Sequence, residues 1–316
     1  MNFQTKISLK KQQLNQINYD SKLLLLGSCF SENIGEKLSY YKFQSAVNPF
    51  GILFHPKAIE NLVLDAINEK VYTDDDLFFH NERWHCFNVH SKLSSTDKNK
   101  ITNSLNNANN NTYKQLKNAT HIIITLGTSW VYRFIETDSL VANCHKIPQK
   151  KFLKEILSIN EITASIEIII SLIKSVNKNV NILFTVSPVR HLKDGFIENQ
   201  RSKSHLLSAI HNIIEPRENT YYFPSYEIMM DELRDYRFYA EDMIHPNKTA
   251  INYIWDKFFT SWTSEETQQT MSKVAIIQKG LTHRSFNPTS EAHLKFLNNL
   301  QQKKETLVKA FPFMKF

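Results

Sequence analysis

Five short apolar runs, separated by stretches of helical spacing, constrain this chain more than any other feature. Residues 23–26, 44–47, 121–126, 180–186 and 221–223 read as strands. The first, third and fourth are almost continuously apolar, the pattern of strands buried on both faces. Between them, residues 31–40, 57–68, 98–116, 161–175 and 201–214 read as helices, with Ile162, Ile166, Ile169, Ile170 and Ile173 along one side of the fourth. Strands that alternate with helices pack as a parallel sheet covered by helices on both faces, an α/β architecture. A chain of 316 residues is long enough to bury such a core.

Two regions interrupt the alternation. Residues 77–90 are aromatic-rich with a polar Asn81-Glu82 centre and read as a hairpin, part of an insert covering about residues 70–118. The asparagine tract at 106–111 reads as a surface helix end or loop. Beyond Trp262 the chain turns helical again, breaks at Asn287-Pro288 and resumes as a long polar helix from Thr289 to about Ala310. The expected organisation is a domain of residues 1–262 and a helical extension of residues 263–316 packed on it.

Composition removes several function classes. Six glycines leave no G-x-G-x-x-G and no G-x-x-x-x-G-K-[ST], so Rossmann dehydrogenases and P-loop NTPases are poor candidates and no cofactor is expected. Three scattered cysteines are too few for a disulfide framework or a Cys₄ zinc site. His80, Cys86 and His90 share a face of the hairpin by parity, but with no second cluster they read as packing or pocket-lining residues, and no metal is expected. The net charge is +7, yet the basic residues are spread along the chain without a block of five or six, so no nucleic-acid partner is expected. Residues 1–15 are polar without the apolar core of a signal peptide, and no apolar run approaches the roughly 20 residues of a membrane helix. A cytoplasmic protein with no membrane partner is the expectation.

The chemistry-bearing residues cluster after the predicted strands. Gly27 ends the first strand in Gly27-Ser28-Cys29-Phe30, Gly51 follows the second in Asn48-Pro49-Phe50-Gly51, and Gly127 ends the third in Gly127-Thr128-Ser129. The carboxyl ends of parallel strands are where open α/β sheets bind ligands. Ser28 and Cys29 stand where a helix N-terminus favours a thiolate or oxyanion, although a helix cap and a packed thiol have the same sequence. After the fifth strand, Asp242 precedes His245 by three residues. That spacing lets the carboxylate curl back to imidazole Nδ1 and leaves Nε2 for a nucleophile, with Pro246 starting the next helix. Arg190 on the same edge is placed to meet an anionic substrate group, and His90 to line the pocket.

Taken in order, these blocks resemble the SGNH (GDSL-like) hydrolases, and more closely the GSCFA family within them. The resemblance rests on Gly27-Ser28-Cys29-Phe30, with Ser31 where the family name has Ala, and on Glu32-Asn33-Ile34-Gly35 and Asn48-Pro49-Phe50-Gly51. It continues through Thr185-Val186-Ser187-Pro188-Val189-Arg190 and Phe223-Pro224-Ser225-Tyr226-Glu227 to Asp242-Met243-Ile244-His245-Pro246. It implies a flavodoxin-like fold with a five-stranded parallel sheet flanked by helices, which with the inserted hairpin and a C-terminal helical hairpin read from the residues gives a three-layer α/β protein. It also implies acyl-ester hydrolysis or transfer on a small-molecule or carbohydrate ester. Laid on Gly-Asp-Ser, the first block makes Cys29 the nucleophile and leaves Ser28 to cap the helix, with Ser28 as the alternative nucleophile. Asp242 and His245 complete the set, and Gly51, Gly127 and Ser129 supply the oxyanion hole. The superfamily's Gly-x-Asn block reads Gly127-Thr128-Ser129 here, and a serine cannot donate from the asparagine's position. A non-catalytic ligand-binding or scaffold protein on the same fold is therefore the second expectation.

Overall fold

The computed structural model describes residues 5–316, so residues 1–4 of the polar start lie outside the described residues. In chain order the central elements are β1 (Lys22–Gly27), α1 (Cys29–Tyr40), β2 (Gln44–Val47) and α2 (Pro56–Ile67). A hairpin of β3 (Phe78–His80) and β4 (Arg83–His85) precedes α3 (Lys98–Asn118) and β5 (His121–Leu126). Then come β6 (Trp130–Phe134), β7 (Ser139–Val141), β8 (Phe152–Ile156), α4 (Ile159–Val176), β9 (Asn181–Val186), α5 (Gly195–His211) and β10 (Thr220–Tyr222). The chain ends with α6 (Ser225–Glu227), α7 (Lys248–Trp262), α8 (Glu265–Thr282) and α9 (Glu291–Ala310).

The main sheet has five strands in the order β10-β9-β5-β1-β2, every neighbouring pair parallel. Side-chain alternation divides its core in two. Leu24, Leu26, Ile122, Ile124, Ile182 and Phe184 face a layer built from α2, α3, α4 and α5. Leu23, Leu25, Ile123 and Leu183 face α1, α7, α8 and α9. This is the three-layer α/β arrangement expected. Strand order reverses between β1 and β5, which makes that junction the switch point where such sheets open a crevice.

Three expectations are corrected. Residues 130–156 form a second, antiparallel sheet in the order β7-β6-β8 that the sequence reading did not contain. Its strands are short and half-exposed, and charged residues interrupt their pattern, as in the cross-strand Arg133–Glu155 pair at 2.8 Å. The asparagine tract lies inside α3, not in a loop or helix end. Asn109 is buried there, and its Nδ2 donates to the carbonyls of Asp65 and Lys70. Asn247, whose side chain accepts from the Thr249 and Ala250 amides, caps α7 in place of Pro246. The hairpin turns at Asn81 and Glu82, both left-handed.

Candidate active site

The switch point is assembled from the ends of β1, β5 and β9. Gly27 adopts φ +134° with its N–H on Asn48 Oδ1 at 2.9 Å, and a Cβ there would collide with the Thr125 carbonyl. The next residue, Ser28, donates its amide to the Thr125 carbonyl at 3.1 Å, and its Oγ accepts from Phe30 N at 3.3 Å. Ser28 is 2% exposed and is the N-cap of α1. That leaves Cys29, the first residue of α1, half-buried. Burial pushes its thiol up, outweighing the amides of Cys29 and Phe30 and the charge of Lys203, while Glu32 adds to the rise. The helix N-terminus therefore does not deliver a preformed thiolate, contrary to the expectation drawn from its dipole.

Lys203 was not anticipated. It lies on the buried stripe of α5 with Asn199, Ser202, Leu206, Ala209 and Ile210, and is 0% exposed. Its Nζ donates to the carbonyls of Gly127 and Ser187, each at 2.7 Å, at the carboxyl ends of β5 and β9. No carboxylate pairs with it among the described residues. Full burial drops its amine to about 7, against a small opposing pull from Cys29. Nearby, His191 leans on Phe54, with 5.5 Å between ring centroids. Its Nε2 is buried without a hydrogen-bond partner among the described residues, and a Cβ on Gly127 would lie 3.1 Å from it. Burial and the charges of Lys203 and His245 hold His191 neutral, with its pKa lowered to about 3.

Asp242 and His245 form a pair: His245 Nδ1 and Asp242 Oδ2 are 2.7 Å apart. Asp242 Oδ1 accepts the backbone N–H groups of Ile244 and His245, and these bonds hold its carboxyl down at about 2. The Ile244 carbonyl accepts from Arg190 N at 3.2 Å, which ties the loop to the segment after β9. Both side chains are exposed, and among the described residues no hydrogen bond joins His245 to Cys29 or Ser28. His191 feels the charges of both Lys203 and His245.

The expected oxyanion donors are already engaged. Gly51 N–H closes a turn onto the Asn48 carbonyl at 2.8 Å, and Gly127 N–H goes to the Phe54 carbonyl at 2.7 Å. Ser129 is 0% exposed, its N–H on Ser202 Oγ and its hydroxyl on the Ser202 carbonyl. Strand-end glycines are readable in sequence, but the partners of their amides are not. His90 packs against Gly51 and accepts from Lys92 N, with burial lowering its pKa against the opposing charge of Glu32. The Arg190 guanidinium stacks 4.1 Å from the Tyr239 ring centre, at the edge of a cleft of about 390 Å³ also lined by Tyr226, Tyr236 and Arg234. The His80 carbonyl meets His85 Nε2 and Cys86 is buried in the core; no group of three or more His, Cys, Asp or Glu is placed to hold a metal among the described residues. No helix among them is long and apolar enough to cross a membrane.

A family model described as GSCFA family matches residues 22–258, and one described as GSCFA domain protein, C-terminal domain, matches residues 274–316. No curated protein matches the chain. Among solved structures it is similar to a carbohydrate esterase family 3 from Talaromyces cellulolyticus, at 8% identity and a TM-score of 0.37, over 80% of this chain and 98% of the other. An acetyl esterase mutant with acetate ion is similar at 8% identity and a TM-score of 0.37, over 80% of this chain and 99% of the other.

Proposed function

The chain belongs to the GSCFA family, and on that premise we propose that it is an SGNH-like acyl-ester hydrolase or acyltransferase. Cys29 is the nucleophile and Asp242–His245 the acid–base pair. The pair itself carries the reading: a carboxylate fixed by two backbone amides holds imidazole Nδ1 at 2.7 Å and leaves Nε2 available. In the first half-reaction the Cys29 sulfur attacks the acyl carbonyl as its proton passes to His245 Nε2. The ester C–O bond then breaks, and the departing alkoxide takes that proton from His245. In the second, His245 removes a proton from water or an acceptor alcohol as its oxygen attacks the thioester, and returns it to the departing Cys29 sulfur. A carbohydrate ester suits the cleft beside Arg190, where Tyr236 and Tyr239 offer aromatic surface to a sugar ring. Three free thiols support a cytoplasmic setting.

The engaged amides of Gly51, Gly127 and Ser129 favour a second reading, a non-catalytic ligand-binding protein on the same fold. Incubation with a short-chain aryl ester separates the two. An acyl adduct on Cys29 in the intact-mass spectrum, with turnover lost in His245→Ala, supports the enzyme. Absence of both adduct and turnover supports the binding protein.

A further inference from the structure

The C-terminal helices carry most of the chain's surplus charge. Residues 274–316 hold seven Lys or Arg against two Glu, a surplus of five where the whole chain has +7. Helices α8 and α9 pack together up to the loop that joins them: the His283 and Phe296 rings lie 5.4 Å apart, and a Cβ on Gly280 would collide with Leu300. Every residue of 281–289 except Ser285 is exposed, so this end of the hairpin stands clear of the body. Four apolar side chains face solvent there: Leu281 at 46% exposure, Phe286 at 108%, Leu294 at 52% and Leu297 at 43%. Lys279, Arg284 and Lys295 stand among them, all exposed and none in an ion pair among the described residues. Glu291, the one acid between 279 and 297, sits in the first turn of α9, where the helix dipole favours a carboxylate.

A cluster of exposed apolar side chains marks a surface that something else covers, and here the collar of cations selects the occupant. A second copy of the chain would set like charge against like charge. A nucleic acid would meet the cations but gain little from Phe286 and three leucines. An acidic protein would need a pocket shaped to a projecting loop. A lipid surface instead yields to a convex tip, takes phenylalanine and leucine below its headgroups, and attracts Lys and Arg through anionic lipids. We infer that the α8–α9 tip docks the chain on an anionic phospholipid surface. Phe286 and Leu294 enter the boundary between headgroups and acyl chains, and Lys279, Arg284 and Lys295 meet the lipid phosphates. Such a contact needs no spanning helix, and it replaces the expectation of no membrane partner, which rested on the lack of one. It stands apart from the reading of Cys29 and His245, so either can fail alone.

The test sediments the full chain with vesicles of phosphatidylcholine alone and of equal parts phosphatidylcholine and phosphatidylglycerol. The inference expects binding at least ten times tighter to the anionic vesicles, with release by about 0.5 M salt. It expects at least a tenfold loss of that binding in the double variant Phe286→Ser, Leu294→Ser, and again in the triple variant Lys279→Gln, Arg284→Gln, Lys295→Gln. All five side chains are exposed, so urea midpoints of both variants should match the native chain and exclude misfolding as the cause. A tryptophan introduced by Phe286→Trp should shift its emission to the blue on anionic vesicles only. No binding to anionic vesicles overturns the inference, as does binding that the double variant leaves unchanged. Without vesicle binding, self-association abolished by the double variant would give the tip to a second copy, and retention of an oligonucleotide would give its charge to nucleic acid; either result overturns the lipid assignment.

Discussion

Exchanging Lys203 for methionine should reverse the order of stability between acid and alkaline solution. In the folded chain the amine sits at about 7; in the unfolded chain it returns to roughly 10.4. Between those values the unfolded chain binds the extra proton, so this group's contribution makes stability rise with pH by about 1.4 kcal/mol per unit. The contribution is complete above about pH 10.4 and is lost as pH falls to 7, a span worth about 4–5 kcal/mol. Methionine removes that dependence but leaves the Gly127 and Ser187 carbonyls unpaired. Two orphaned acceptors cost about 2–4 kcal/mol at any pH. At pH 6 the variant should therefore equal or exceed the native chain by up to about 2–3 kcal/mol, and at pH 10 it should fall about 2–4 kcal/mol below it. Cys29 and Tyr226 are both pushed up by burial and His191 is held neutral, so none of them titrates through the lower part of this window. Urea midpoints at pH 6, 8 and 9.5 give the difference, since of the two groups that feel the Lys203 charge His191 is held neutral and Cys29 is pushed up by burial. A difference constant to within about 0.5 kcal/mol across that range would refute a depressed amine at position 203.

Asp242→Asn should lower ester turnover by about 10²–10⁴ by freeing the imidazole tautomer, and because its carboxyl lies at about 2, native activity should show no acid limb from Asp242 above pH 3; a turnover assay across pH checks both. Gly27→Ala should cost about 3–5 kcal/mol in urea unfolding, combining a positive-φ penalty with displacement of the Thr125 carbonyl that Ser28 needs; a loss under about 1 kcal/mol would show that the backbone relaxes. Asn109→Leu should destabilise by about 2–4 kcal/mol, read by the same unfolding curves, since the carbonyls of Asp65 and Lys70 lose their donor.

What the sequence disclosed followed from burial. Leu23 through Leu26 and Ile122 through Ile124 could be read as strands because both faces of the sheet are covered, which demands apolar residues at every position. The β6–β8 sheet was illegible for the opposite reason: Arg133, Lys154 and Glu155 are half-buried and divide between its two faces, which breaks the pattern. At the site, Asp242 and His245 could be paired from their spacing alone, since a three-residue return is local geometry. Lys203 could not, because a lysine ordinarily reads as solvated; its only signal was its place on the inward stripe with Leu206 and Ile210. The engaged amides of Gly51 and Gly127 depend on Asn48 and Phe54 carbonyls, partners that residue identity does not encode.

The two-faced sheet also has a temporal side. Helices α2 to α5 cover one face and are all made by residue 211, while the face carrying Leu23, Leu25, Ile123 and Leu183 has only α1 until α7 at Lys248–Trp262 and the helices beyond it are made. Even the segment before β1 closes late, because Ile17 N–H bonds to the Trp262 carbonyl. At roughly 5–20 residues per second of synthesis, the nascent chain carries a half-covered sheet for several seconds before α7 emerges. Chains interrupted before Lys248 should therefore emerge from the ribosome as chaperone clients, with the unsealed face available to other nascent chains.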